Sequence, residues 1–316
     1  MTQEVPPSVL DRTGAVPPAS LTLLADHIIG SAVVVRLAAD ERMVTGHIHL
    51  EFLNPLLPEV RSFQGTTDDL HLTPLGAFGR GSIITNNGEL VALISSRFAI
   101  LGGDRVRPGR KSSPKQNVVE SERTMGPDPS ILLDLPASPL DTLLGTRLVA
   151  RDDSHVRVRF EATNDLANDR GGLHGGVAAL MADRAATLTL PTPNSSESPY
   201  SHTEMRVVFL RPLPTEGTSI EVDAAITHLG TSTATTTALV RDPNGRIAVQ
   251  VDSIYTRLPN HSAARVLVDA VSTGRGNRVS LDPLAGTVIG LTNGRLGAQS
   301  CRSDDANRFC KAPTEG

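Results

Sequence analysis

The stretch GGLHGGVAALMADRAA, Gly171 to Ala186, is a glycine-rich loop that runs directly into an apolar helix. Gly171, Gly172, Gly175 and Gly176 let the backbone turn tightly and let another group approach it closely. The start of a helix leaves N–H groups without partners and carries a partial positive charge. A carbonyl oxygen held there gains hydrogen bonds that strengthen as it acquires negative charge, and losing one such donor typically costs about 3 kcal/mol of barrier. The Gly175 N–H is the expected donor, with Gly176 beside it and His174 at the same turn. Asp183 follows His174 by nine residues, inside the apolar run ALMADRAA. A carboxylate there is costly unless it has a partner or a use.

The same pattern occurs twice. LTLLADHIIGSA (Leu21 to Ala32) resembles AALMADRAATLT (Ala178 to Thr189), pairing Asp26 with Asp183 at an offset of 157 positions. Without a gap, that offset pairs EFLNPL (Glu51 to Leu56) with VFLRPL (Val208 to Leu213). It also pairs His71 with His228, Asn86-Asn87-Gly88 with Pro243-Asn244-Gly245, and SSRF at Ser95 with DSIY at Asp252. One offset held over this length indicates two copies of one domain.

Each copy reads as a helix followed by strands. Ser20 to Val34 and Val177 to Leu190 are apolar on most faces, which marks a buried helix. HTEMRVVFLRP, Thr218 to Gly230, Ser232 to Asp242 and RIAVQVDSIYTRL alternate and are rich in Thr, Val and Ile. Pro243-Asn244-Gly245 is a hairpin turn. One long buried helix wrapped by a curved antiparallel sheet is an α+β hotdog architecture, here as two fused hotdog domains forming an intrachain pseudo-dimer.

The expected organisation is a degenerate N-terminal hotdog domain over 1–102, a polar linker over 103–130, and a C-terminal hotdog domain over 131–260. A C-terminal helix and tail follow over 261–316. The second copy has extra material before its helix, a short helix and a hairpin within Leu140 to Asn168, and the first copy starts too close to the N-terminus to contain it. LDPLAGT, beginning at Leu281, resembles LDTLLGT, beginning at Leu140. The tail, 280–307, is therefore expected to return and supply the first strand of the N-terminal domain.

The whole chain restricts function. A formal net charge of -4 over 316 residues argues against a nucleic-acid partner. The N-terminus has no charged and apolar leader, and no apolar run is long enough to span a membrane, so no membrane and a cytoplasmic location are expected. Two cysteines, Cys301 and Cys310, support neither a disulfide framework nor a metal site. No metal and no cofactor are expected. With no Trp and 3% aromatic residues, the core must be aliphatic.

NDRGGLHGGVAALMAD resembles the signature of the PaaI-like (phenylacetyl-CoA thioesterase-like) branch of the hotdog thioesterases, within the 4HBT superfamily. That pattern is Asn, His-Gly-Gly six residues later, and Asp nine residues after the His. Asn168, His174, Gly175 and Asp183 match it. The resemblance implies acyl-CoA thioester hydrolysis, with CoA entering as part of the substrate. It implies that the glycine N–H polarises the carbonyl, that a helix Asp activates water or attacks, and that Asn and His assist. A polar residue is common at the start of the next strand, where Ser201, His202 and Thr203 stand. In this branch two domains pair, and each site joins the loop of one to the Asp of the other. Asn168, His174 and Gly175 would then work with Asp26, and Thr45, aligned with His202, would be the polar neighbour. The reciprocal site would set Asp183 against DRTGAVPPA, where Pro17 and Pro18 replace His174 and Gly175. Proline has no N–H, so one working and one dead site are expected. The competing readings are a non-catalytic acyl-CoA-binding protein and a hotdog dehydratase or hydratase. A further homodimer is compatible with the sequence.

Overall fold

The computed structural model describes residues 1–102, 138–192, 199–215, 217–257, 287–292 and 295–300. The chain divides into two compact units, Met1–Leu258 and Pro259–Gly316.

In the first unit, both copies build the same elements. The first copy has β1 (Thr2–Glu4), α1 (Leu21–Val34), β2 (Arg42–Phe52), β3 (Ser62–Thr73), β4 (Gly76–Thr85) and β5 (Leu90–Leu101). The second has α2 (Pro139–Leu144), β6 (Arg147–Arg151), β7 (His155–Ala162), α3 (Gly175–Thr189), β8 (Tyr200–Phe209), β9 (Thr218–Leu229), β10 (Thr233–Arg241) and β11 (Ile247–Arg257). The long strands of the two copies correspond at the offset of 157 to within two residues at each end.

The strands form one antiparallel sheet in the order β1-β3-β4-β5-β2-β8-β11-β10-β9-β7-β6. The copies join where β2 pairs with β8. His49 lies opposite Arg206, its own counterpart, and Ile48 and Leu50 lie opposite Val207 and Met205. Each pair is exchanged with its equivalent about that central pair, the self-complementary register of a twofold interface. Ile48, Leu50, Met205 and Val207 are buried on the inner face, where α1 and α3 also meet. The expected double hotdog is the observed fold. Among the described residues no helix is long and apolar enough to cross a membrane.

Local sequence explains the extra elements of the second copy. Ser138 caps α2 in a capping box with Asp141, and Gly145 closes the helix at φ +57°. Asp141 also receives two hydrogen bonds from Arg184 of α3, at 2.7 and 2.8 Å. These bonds hold its carboxyl below the usual range although burial pushes the other way.

One expectation needs correction. The first copy does contain part of the strand thought to be missing. β1 places Thr2 opposite Gln64, the same register that places Arg159 of β7 opposite Glu221. Three residues without obvious alternation gave no strand signal, and pairing with β3 supplies it.

In the second unit, β12 (Thr287–Thr292) and β13 (Arg295–Ser300) pair as a hairpin. The linker 103–130, the C-terminal helix, both cysteines and most of the tail lie outside the described residues.

Candidate active site

Asn168 organises the loop that feeds α3. Its side-chain oxygen accepts from the backbone N–H of Arg170 at 2.9 Å and of Gly172 at 3.2 Å. Its own N–H donates to the Gly172 carbonyl at 2.7 Å, and Gly171 turns at φ +77°. The first copy repeats this loop bond for bond. Asp11 accepts from the backbone of Thr13 at 2.8 Å and Ala15 at 3.0 Å, and Gly14 has φ +78°. Asn168 thus shapes the turn through its side-chain oxygen, and Asp11 does the same.

The copies diverge immediately afterwards. In the second, His174 is the N-cap of α3 and its Nδ1 accepts the Gly176 N–H at 3.1 Å. The ring proton then sits on Nε2. The Gly175 N–H has no acceptor among the described residues. It is the helix-start donor left over for a ligand. In the first copy, Pro17 and Pro18 occupy these positions and a 3-10 turn, Pro18–Ser20, precedes α1. No N–H is available from either proline.

The two glycines have different reasons to be glycine. A Cβ on Gly175 would lie 2.9 Å from the Phe209 ring. A Cβ on Gly176 would lie 2.6 Å from Leu23 Cγ and 3.0 Å from the Leu23 backbone nitrogen. Gly176 therefore allows the start of α1 to approach the start of α3. Its N–H is already capped, so it serves the contact between copies rather than the substrate contact expected of it.

Asp26 faces this turn from the first copy. The Thr45 hydroxyl donates to its Oδ1 at 2.8 Å. Burial raises the Asp26 pKa, opposed by the Thr45 bond and by the positive charge that His174 and His27 can carry. Burial also lowers the His174 pKa, with the Asp26 carboxylate pulling upward. The His27 ring stacks near His174, with centroids 6.0 Å apart. Asp26, Thr45, His27, His174 and Gly175 thus converge at the junction of the copies. Arg170 ties the same loop across the junction, donating from Nη1 to the Met43 carbonyl at 3.3 Å.

A repeated β-bulge aims the strand residue. β2 is bulged at Gly46 and β8 at Thr203, positions related by the offset. Each bulge turns the preceding side chain, Thr45 or His202, toward the helix Asp. Thr203 spends its hydroxyl on the Ile254 carbonyl at 3.2 Å. Ser201 alternates away from His202. Neither joins the site.

Asp183 sits elsewhere, only 3% exposed. His202 Nε2 lies 3.1 Å from its Oδ1, but out of line for a hydrogen bond. The Tyr255 ring lies 4.2 Å from the His202 ring and closes the cluster. Burial and the Asp183 charge push the Tyr255 hydroxyl pKa up. This is a buried polar cluster.

The sequence reading missed His27, Phe209 and Arg170. His27 had a signal, a polar residue beside Asp26 in an apolar helix. Its counterpart Arg184 is committed to Asp141. Among the described residues no group of three His, Cys, Asp or Glu is placed to hold a metal ion.

Residues 170–249 match the family described as the Thioesterase superfamily. The match begins at the loop described above and ends in β11. No curated protein matches the chain. Solved structures share the double fold. A hot dog fold protein of unknown function from Alicyclobacillus acidocaldarius aligns at TM-score 0.54 and 13% identity, over 82% of this chain and 93% of that one. An acyl-CoA thioesterase II, TesB2, from Mycobacterium marinum aligns at TM-score 0.53 and 17% identity, over 78% and 92%. A TesB protein from Mycobacterium avium subspecies paratuberculosis aligns at TM-score 0.52 and 12% identity, over 82% and 92%. At these identities the likeness establishes the hotdog fold.

Proposed function

We propose that the chain hydrolyses acyl-CoA thioesters to CoA and a free carboxylic acid at one site, built from both copies. The observation that carries this reading is the Asp26 carboxylate facing the His174–Gly175 turn, whose Gly175 N–H is unspent. The thioester carbonyl oxygen lies on that N–H. Asp26 takes a proton from water as the water oxygen bonds to the carbonyl carbon. The negative charge that moves onto the carbonyl oxygen is held by Gly175 and the positive end of α3. When the carbonyl re-forms, the carbon–sulfur bond breaks and CoA leaves as its thiolate, which is then protonated by solvent. Thr45 keeps Asp26 oriented, and His174 keeps the turn in shape by capping Gly176. The reaction needs no metal and no cofactor beyond the CoA of the substrate. The match of residues 170–249 to the Thioesterase superfamily supports the same chemistry.

Release of free thiol from a panel of acyl-CoAs tests the proposal. Turnover that disappears in Asp26→Asn and survives in Asp183→Asn is the expected result. Tight binding of acyl-CoA with no thiol released by the wild-type chain would make it an acyl-CoA-binding protein instead. Loss of turnover in Asp183→Asn alone would place the site within the second copy.

A further inference from the structure

We infer that the core of the second copy holds an internal water molecule, bound among Asp183, His202, Thr236, Ser253 and Tyr255. Such a site stands whether or not the chain hydrolyses thioesters. Five polar atoms meet there without a hydrogen bond among the described residues: Asp183 Oδ1, His202 Nε2, Thr236 Oγ1, Ser253 Oγ and the Tyr255 hydroxyl. Each residue is more than nine-tenths buried. α3 carries Asp183, β8 places His202 opposite Tyr255 of β11, and β10 places Thr236 opposite Ser253 of β11. His202 Nε2 lies 3.1 Å from Asp183 Oδ1. The Tyr255 hydroxyl is close enough to Asp183, Thr236 and Ser253 for each to shift its pKa, yet none is in line to bond it. An unbonded polar atom is costly in a core, and native cores keep few of them. Several converging on one place mark a seat for a polar molecule.

The first copy shows the same place with less polarity. Ser96 corresponds to Ser253, but Phe98 stands in place of Tyr255, and Thr45, in place of His202, is already bonded to Asp26. Gly79 stands in place of Thr236. Ile29 fills the space above Gly79 so closely that a Cβ there would collide with its Cγ2. The second copy has Ala186 for Ile29 and Thr236 for Gly79, so the volume moves from helix to strand. The neighbouring pair makes the same exchange without a hydroxyl: Ile28 above Gly65 becomes Ala185 with Val222. Valine would fill the Thr236 position as well as threonine does. The hydroxyls of Thr236 and Tyr255 thus add buried polarity with no gain in packing, and a bound polar molecule accounts for them.

Water suits this set of groups. It brings two protons and two lone pairs. It can donate to the Asp183 carboxylate and either give to or take from the three hydroxyls and the imidazole. An internal water makes about three such bonds. Bound among these residues, it ties α3 to β8, β10 and β11.

High-resolution crystallography and thermal melting of the full chain test this together. Wild-type electron density should show a peak within about 3 Å of at least three of these atoms. Tyr255→Phe and Thr236→Val each remove one hydroxyl and keep the shape of the side chain. Each should lower the melting temperature by about 2–4 °C, the shift expected for one lost hydrogen bond in a unit of this size. A hydroxyl bonded to nothing gives the opposite sign, because its removal leaves the melting temperature level or raises it. Should Thr236→Val fail to fold, Ser253→Ala replaces it, and the wild-type density needs no variant. Wild-type density without such a peak, or side chains bonded directly to one another in its place, overturns the site. So does a melting temperature that stays level or rises in both variants.

Discussion

The Thr45 hydroxyl donates to Asp26 at 2.8 Å, whereas its counterpart His202 lies 3.1 Å from Asp183 without a hydrogen bond. One repeat has therefore produced two different surroundings for one carboxylate. Asp26 is half-buried, hydrogen-bonded to Thr45 and near enough to His174 for each to shift the other's pKa. Asp183 is sealed against an imidazole and a phenol.

Asp26→Asn should lower kcat by about 10²–10⁴, the usual contribution of a positioned base. Asp183→Asn should keep most of the activity and act mainly on stability. Steady-state thiol release with thermal melting of both variants checks the contrast. Comparable kcat in the two variants would refute it.

The pH profile should follow Asp26. A base works only when ionised, so kcat/KM should fall on the acid side as pH drops through a pKa above the ordinary value of 3.8. Thr45→Val removes the bond that lowers this pKa, so the acidic limb should move to higher pH. His174 is held below 6.5, so the variant's limb is not its titration unless it fails to move. An unmoved limb in Thr45→Val excludes Asp26 as the titrating group.

Stability should respond to Asp26 with the opposite sign. Its folded pKa lies above its unfolded one, so ionising it costs stability. That cost is absent below the unfolded pKa and complete above the folded pKa. At pH 7 Asp26→Asn should therefore melt higher than the wild type, the usual exchange of stability for function at a working site. A lower melting temperature at pH 7, with equal melting at pH 3, would contradict the raised pKa.

Gly175→Ala and Gly176→Ala should fail differently. The added methyl of Gly175→Ala meets the Phe209 ring, a side chain beside the donor, so kcat should fall with a small change in melting temperature. That of Gly176→Ala meets Leu23, backbone included, and overpacking there should cost about 1–3 kcal/mol by wedging the helices apart. Denaturant unfolding separates the two.

Asp141 and Arg184 should anchor the second copy. Both are largely buried and joined by two bonds. Arg184→Ala leaves a buried carboxylate unpaired and should cost about 3–5 kcal/mol. Since the Asp141 pKa is lowered on folding, the stabilisation is present above the unfolded pKa of about 3.9 and is lost as pH falls through the folded value. Equal stability losses in Arg184→Ala at pH 7 and pH 2 would argue against the pair.

Several features were legible in sequence because they depend on local patterns. The long strands announced themselves by alternation, α1 and α3 by apolar residues on most faces, and the Asn244-Gly245 turn by its residues. The offset of 157 is visible in the sequence and reappears in the registers, down to His49 opposite Arg206. The loss of a donor at Pro17 and Pro18 needs only the chemistry of proline.

Other features had no local signal. β1 is a strand because Thr2 finds Gln64. Asn168 was read as assisting at the site, and its bonds to Arg170 and Gly172 show how it also builds the turn. Gly176 was read as a substrate contact, but His174 caps its N–H and Leu23 packs on it. The sequence by itself determined two hotdog copies and one intact helix-start donor, because periodicity, glycine and proline act on neighbouring residues. The tertiary structure decided which carboxylate lies beside His174. The β2–β8 junction and the small volume of Gly176 bring α1 against α3, and packing across the copies sets Asp26 near His174 while Asp183 packs against His202 and Tyr255.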